Sequence, residues 1–87
     1  MEFNQHWNIY LKALYFDRQG DWESAHNLVD GHPGKTAAHI HAYLHRKEGD
    51  EWNAGYWYRN AGKEFFNGSL DEEWNELWNY YRNYANT

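Results

Sequence analysis

The 87-residue sequence has no cysteine, one proline and one methionine. Without cysteine there is no disulfide framework and no thiolate metal site. No apolar run approaches the roughly 18 residues of a membrane-spanning helix. The start, Met1-Glu2-Phe3-Asn4, lacks the charged-then-apolar pattern of a secretory signal. A formal charge of −5 argues against a general nucleic-acid binder, which carries a basic patch or stripe. The expected setting is the cytoplasm, with no membrane and no nucleic acid among the partners.

Aromatic residues are abundant, at 21 % of the chain. A single domain of this length buries only about 60 % of its unfolded surface. Each buried aromatic side chain removes roughly 150–250 Å² from water, so the aromatics serve first to fill a small core.

Helical periodicity recurs along the whole chain. The spacing predicts five helices, over 3–19, 21–30, 35–48, 50–61 and 69–85. Phe3, Trp7, Tyr10, Leu11, Leu14 and Tyr15 form the first apolar stripe. Trp22, Ala25, Leu28 and Val29 form the second, and Ala37, Ile40, His41, Leu44 and His45 the third. Ala54, Trp57, Tyr58 and Ala61 follow. Leu70, Trp74, Leu77, Trp78, Tyr81 and Ala85 make the cleanest stripe. Asp21 and Asp50 are placed to cap their helices, and Ser69 with Glu72 makes a capping box. No strand pattern competes. The expected fold is all-α: two antiparallel helical hairpins and a C-terminal capping helix in one domain spanning 1–87.

An internal repeat supports the two hairpins. Ala13, Arg18, Gly20, Asp21 and Ala25 recur, at an offset of 29 residues, as Ala42, Lys47, Gly49, Asp50 and Ala54. Small residues let paired helices approach, and a Gly-Asp turn ends one helix and caps the next.

Gly49-Asp50, Ala54, Tyr58 and Ala61 stand at the spacing of a tetratricopeptide repeat, and the second unit resembles the latter part of one. The offset of 29 residues is shorter than that repeat's period of about 34. From Ala13 to Trp74, the chain also resembles a group of small bacterial proteins of unknown function. The stretches His41-Ala42-Tyr43-Leu44-His45-Arg46-Lys47-Glu48-Gly49-Asp50 and Asn53-Ala54-Gly55-Tyr56-Trp57-Tyr58 carry that likeness. It implies the fold and a bacterial origin and supplies no activity. The tetratricopeptide likeness implies an inner groove for a protein or short peptide. Its lining would be Tyr10, Leu14, Asp17 and Arg18 from the first unit, and Thr36, His39, Tyr43, Arg46 and Lys47 from the second. There arginine supplies a bidentate fork, lysine a point charge and tyrosine an apolar wall. Alternatively, Arg46 and Lys47 simply stabilise a helix C-terminus.

The same likeness puts His41 and His45 where the repeat usually has large apolar side chains. They lie one helical turn apart, and Glu48 follows three residues on. Two imidazoles and a carboxylate on one face form a polar pocket able to hold a small ligand or a divalent metal. The competing reading is of histidines partly buried and hydrogen-bonded for structural reasons. His32 and His39 do not clearly join them. Tyr56 and Arg59 are expected outside, Trp57 and Tyr58 inside. Gly34-Lys35-Thr36 imitates the end of a phosphate loop, but Val29 stands where the first glycine belongs. No catalytic residue, resident cofactor or metal is assigned. The leading expectation is a non-catalytic interaction module, with self-association through leftover aromatic surface as a variant. The alternative is a ligand- or metal-binding protein, or an enzyme, that uses the His41/His45/Glu48 face. A helical accessory to a larger complex is a third reading.

Overall fold

The computed structural model describes residues 2–84. The expected Ala85 of the last stripe lies outside them. Among the described residues the fold is all-helical, with α1 Ile9–Arg18, α2 Trp22–Val29, α3 Lys35–Lys47, α4 Glu51–Asn60 and α5 Leu70–Tyr84. α1 packs on α2 and α3 on α4, while α5 lies against α1 and α3. None of these helices is long and apolar enough to cross a membrane.

The two hairpin turns repeat almost bond for bond. At the first, Gly20 N–H bonds to Asp17 O at 3.0 Å and Asp21 N–H to Phe16 O at 2.8 Å. At the second, Gly49 N–H bonds to Arg46 O at 3.1 Å and Asp50 N–H to His45 O at 2.9 Å. Both glycines have positive φ, 83° and 87°, which satisfies the last carbonyls of the helix in a left-handed cap. Each aspartate then accepts the N–H three residues on, from Ser24 and from Asn53. Side-chain hydrogen bonds from the same Ser24 and Asn53, and then these backbone bonds, hold both carboxyls below the ordinary carboxylate pKa. Behind each turn, fully buried Ala13 and Ala25, or Ala42 and Ala54, let the helices approach.

α1 begins six residues later than the stripe predicted. Asn8 is extended (φ −66°, ψ 167°) and its side chain accepts the Leu11 N–H, which fixes the helix start. Phe3 and Trp7 precede the helix, and reach its aromatic face from a turn. Trp7 meets Trp78 edge-on at 5.3 Å, and Phe3 lies 5.3 Å from Tyr15. The Ser69–Glu72 capping box is present, with both reciprocal bonds at 3.0 Å. It starts α5 so that Trp74, Leu77 and Tyr81 enter the core with Leu11, Leu14, Tyr43 and Leu44.

Candidate functional site: the two faces of α3

α3 is the central helix, and its two sides carry different chemistry. The inner side faces α1 and α5. Asp17 of α1 and Glu73 of α5 are 2 % and 1 % exposed. Charges this deep persist only when paired and hydrogen-bonded. Tyr43 Oη donates to Asp17 Oδ2 at 2.8 Å, and Lys47 Nζ to Asp17 Oδ1 at 2.9 Å. In the parallel arrangement Tyr58 Oη donates to Glu73 Oε2 at 2.5 Å, and Arg46 Nη1 to Glu73 Oε1 at 2.8 Å. Arg46 Nη2 also donates to the Gly68 carbonyl. Burial, and in each case the adjacent carboxylate, push the pKa values of Tyr43 and Tyr58 well above ordinary phenol, so both remain donors.

These contacts change the expected groove. Leu14 is buried in the core, and Trp74 Nε1 donates to its carbonyl at 3.0 Å. Tyr10 lies 5.3 Å from Tyr81. The Arg18 guanidinium sits 4.1 Å above the Trp74 ring and reaches Asp71 at 3.2 Å. His39 Nε2 is 3.5 Å from Glu73. Tyr10, Leu14, Arg18, His39 and Arg46 therefore meet α5, while Tyr43 and Lys47 bind Asp17. The inner face is occupied by the chain's own C-terminal helix. The physical reason is the apolar stripe of α5, which needs a partner surface and finds this one.

α5 leaves one part of that face open. At the start of α3 there is a cavity of about 270 Å³ lined by Lys35, His39, Lys63, Glu76, Leu77 and Tyr81, among others. Gly34 caps α3 without a side-chain hydrogen bond.

The outer side of α3 holds the histidines. His41 is buried and His45 half-buried, their rings stacked with centroids 4.9 Å apart. Glu48 Oε1 accepts from His45 Nδ1 at 2.6 Å. Glu48 thus joins the pair through His45. The third member comes from α2: His26 Nε2 lies 2.8 Å from His41 Nε2. Trp22 stacks on His26 at 4.7 Å, and Trp57 on His41 at 3.9 Å. Trp22 is fixed by its own bond from Nε1 to Leu44 O at 2.7 Å. Burial, followed by the neighbouring His26 and His45, lowers the His41 pKa from 6.5 to about 4.

His26 was missed in the sequence. The signal was present, since Trp22, His26 and Val29 are spaced four and three on α2, on the stripe that faces α3. Tyr56 and Arg59 are exposed and Tyr58 is buried, with Trp57 half-buried between them. The sequence matches no family model, no curated protein is similar to it, and no solved structure matches its fold.

Proposed function

We propose that the protein is a non-catalytic binding module that holds a short, carboxylate-bearing peptide segment at the N-terminal end of α3. The observation that carries this reading is the cavity left open by α5. Lys35 and Lys63, from separate parts of the chain, stand around an apolar floor that includes Leu77 and Tyr81. Two ammonium groups and the first-turn N–H groups of α3 favour an anion, and the floor favours an apolar side chain beside it. A volume of about 270 Å³ admits one or two side chains or a chain end rather than a long peptide. A cytoplasmic setting and a protein partner rather than a nucleic acid belong to the same proposal, and the cysteine-free, acidic composition fits them.

The test is fluorescence anisotropy with labelled tetrapeptides that have a free C-terminal carboxylate, against amidated copies. Binding is expected only for the free carboxylate, and weakened at least 10-fold by Lys35→Glu with Lys63→Glu. Equal binding of both peptide forms would overturn the reading.

One observation favours self-association as a second reading. Trp52 is 75 % exposed and lies parallel to exposed Tyr56 on α4, with ring centroids 6.4 Å apart. Sedimentation equilibrium of the wild type against Trp52→Ser decides it; a monomer at every concentration rejects it.

A further inference from the structure

We propose that His26, His41 and His45 form a binding site for a divalent first-row transition metal of the zinc class, with Glu48 as the positioning residue for His45. The site lies on the side of α3 away from the peptide cavity and stands independently of it.

The geometry is the first argument. One ligand atom from each of the three histidines can be chosen so that all lie within 4.8 Å of one another. Zinc–imidazole bonds of about 2.0–2.1 Å at tetrahedral angles set neighbouring nitrogens roughly 3.3 Å apart. The Nε2 atoms of His26 and His41, at 2.8 Å, need separate by only about half an ångström to admit an ion. Without metal these two atoms share a proton, one ring donating and the other accepting. On binding, that Nε2 gives up its proton and the ring takes the Nδ1–H tautomer, so neutral imidazoles bind with no net proton release.

The second argument is the partner of His45. Glu48 accepts from Nδ1, which fixes the tautomer and leaves the Nε2 lone pair free. A carboxylate behind an imidazole is the usual outer support of a metal-bound histidine. Three imidazoles without thiolate select zinc, cobalt, nickel or copper over magnesium or calcium. The three protein ligands leave a fourth position for water.

The third argument is that hairpin packing does not demand these rings. At the same repeat positions the first hairpin has Lys12 and Phe16 in place of His41 and His45, and Gly55 answers to His26. Phe16 is as half-buried as His45. An apolar side chain therefore serves that position, whereas clustered imidazoles have a desolvation cost that a bound cation would offset. A competing set, His45 with Glu48 and Asp50, also lies close together. Its Asp50 is committed to capping α4, accepting from Asn53 N–H and from Asn53 Nδ2.

The test uses the full chain, stripped with chelator and titrated with Co²⁺ and then Zn²⁺. The expected result is saturation at one ion per chain, with a visible cobalt band of the intense, low-coordinate kind that zinc abolishes. Side-chain ¹⁵N spectra should show Nε2 of His26, His41 and His45 shifting together while His32 and His39 stay unchanged. His26→Gln should weaken binding at least 100-fold, and Glu48→Gln about 10- to 100-fold. His32→Gln should bind as the wild type does. Absence of saturable binding, an unchanged affinity in Glu48→Gln, or shifts confined to His45 would each overturn the proposal. If His26→Gln fails to fold by circular dichroism, the wild-type shifts and the exposed Glu48 variant decide the matter.

Discussion

The Nε2 atoms of His26 and His41 lie 2.8 Å apart across the junction of α2 and α3. One of them must donate and the other accept, so the pair is satisfied only while one ring offers a free lone pair. A proton added to His41 leaves that bond in place, with His41 donating, but puts a charge into a desolvated site beside His26 and His45.

The metal-free protein should therefore lose stability in mild acid. Unfolded His41 takes its proton near 6.5, whereas the folded ring resists down to about 4. Between those values the unfolded chain binds more protons, so stability is present above pH 6.5 and falls as the pH drops toward 4. His26 and His45 oppose the charge, and Asp30 partly favours it. The expected loss between pH 7.5 and pH 5.0 is about 1 kcal/mol after solvent screening is allowed for. Urea unfolding at pH 7.5 and pH 5.0 measures it, and in His41→Leu the slope should be shallower. Identical losses in the two proteins would refute the assignment to His41.

Bound metal should reverse the same equilibrium. Zinc at 100 times its Kd stabilises a folded state that binds it alone by about 2.7 kcal/mol. Protons compete for the imidazoles, so this gain should be present at pH 7.5 and largely lost at pH 5.0. Thermal unfolding with zinc and with chelator at the two pH values provides the comparison. A zinc effect of equal size at both would point to oxygen ligands instead.

Glu73 ties three helices together, since Tyr58 of α4 and Arg46 of α3 both donate to it. Glu73→Leu removes one charge and strands a half-buried guanidinium, with a cost of about 3–5 kcal/mol. Arg46→Leu together with Glu73→Leu should recover part of that loss, because no unpaired ion remains. Tyr58→Phe, which deletes one donor to a charged acceptor, should cost about 1.5–3 kcal/mol. Chemical denaturation of the wild type, Glu73→Leu, Arg46→Leu and the double variant forms the cycle, and additive losses would mean that the pair is not coupled.

The hairpins were legible in the sequence because a Gly-Asp turn is a local signal. Its backbone bonds close within six residues, and Asp21 and Asp50 cap helices four residues from the alanines they position. The α5 capping box was legible for the same reason. What periodicity reveals is that a face is apolar, not what will cover it. The stripe through Trp74, Leu77 and Tyr81 and the row through Tyr10, Leu14 and Tyr43 were each visible, and their mutual burial was not. His26 was lost in a similar way: its partner is 15 residues on, beyond the reach of any helical spacing. The late start of α1 shows the opposite error. Phe3 and Trp7 keep helical spacing with Tyr10, yet Asn8 stops the helix from extending back to them.

The repeated turn makes a paired prediction. Gly20 and Gly49 share φ values near 85°, and a Cβ at either position would meet nothing within 4 Å. Substitution with alanine therefore brings no clash, only the left-handed backbone strain, about 1–2 kcal/mol. Lower chain entropy in the unfolded state offsets part of this. Because the two turns share their hydrogen bonds and caps, the losses in Gly20→Ala and Gly49→Ala should agree within about 0.5 kcal/mol. Gly49 follows Glu48 at the end of the helix that carries His45, so Gly49→Ala should also weaken metal binding, and Gly20→Ala should leave it unchanged. Unequal stability losses would show that the turns do not bear the same strain. Equal metal affinities would show that the cap does not position the histidine face.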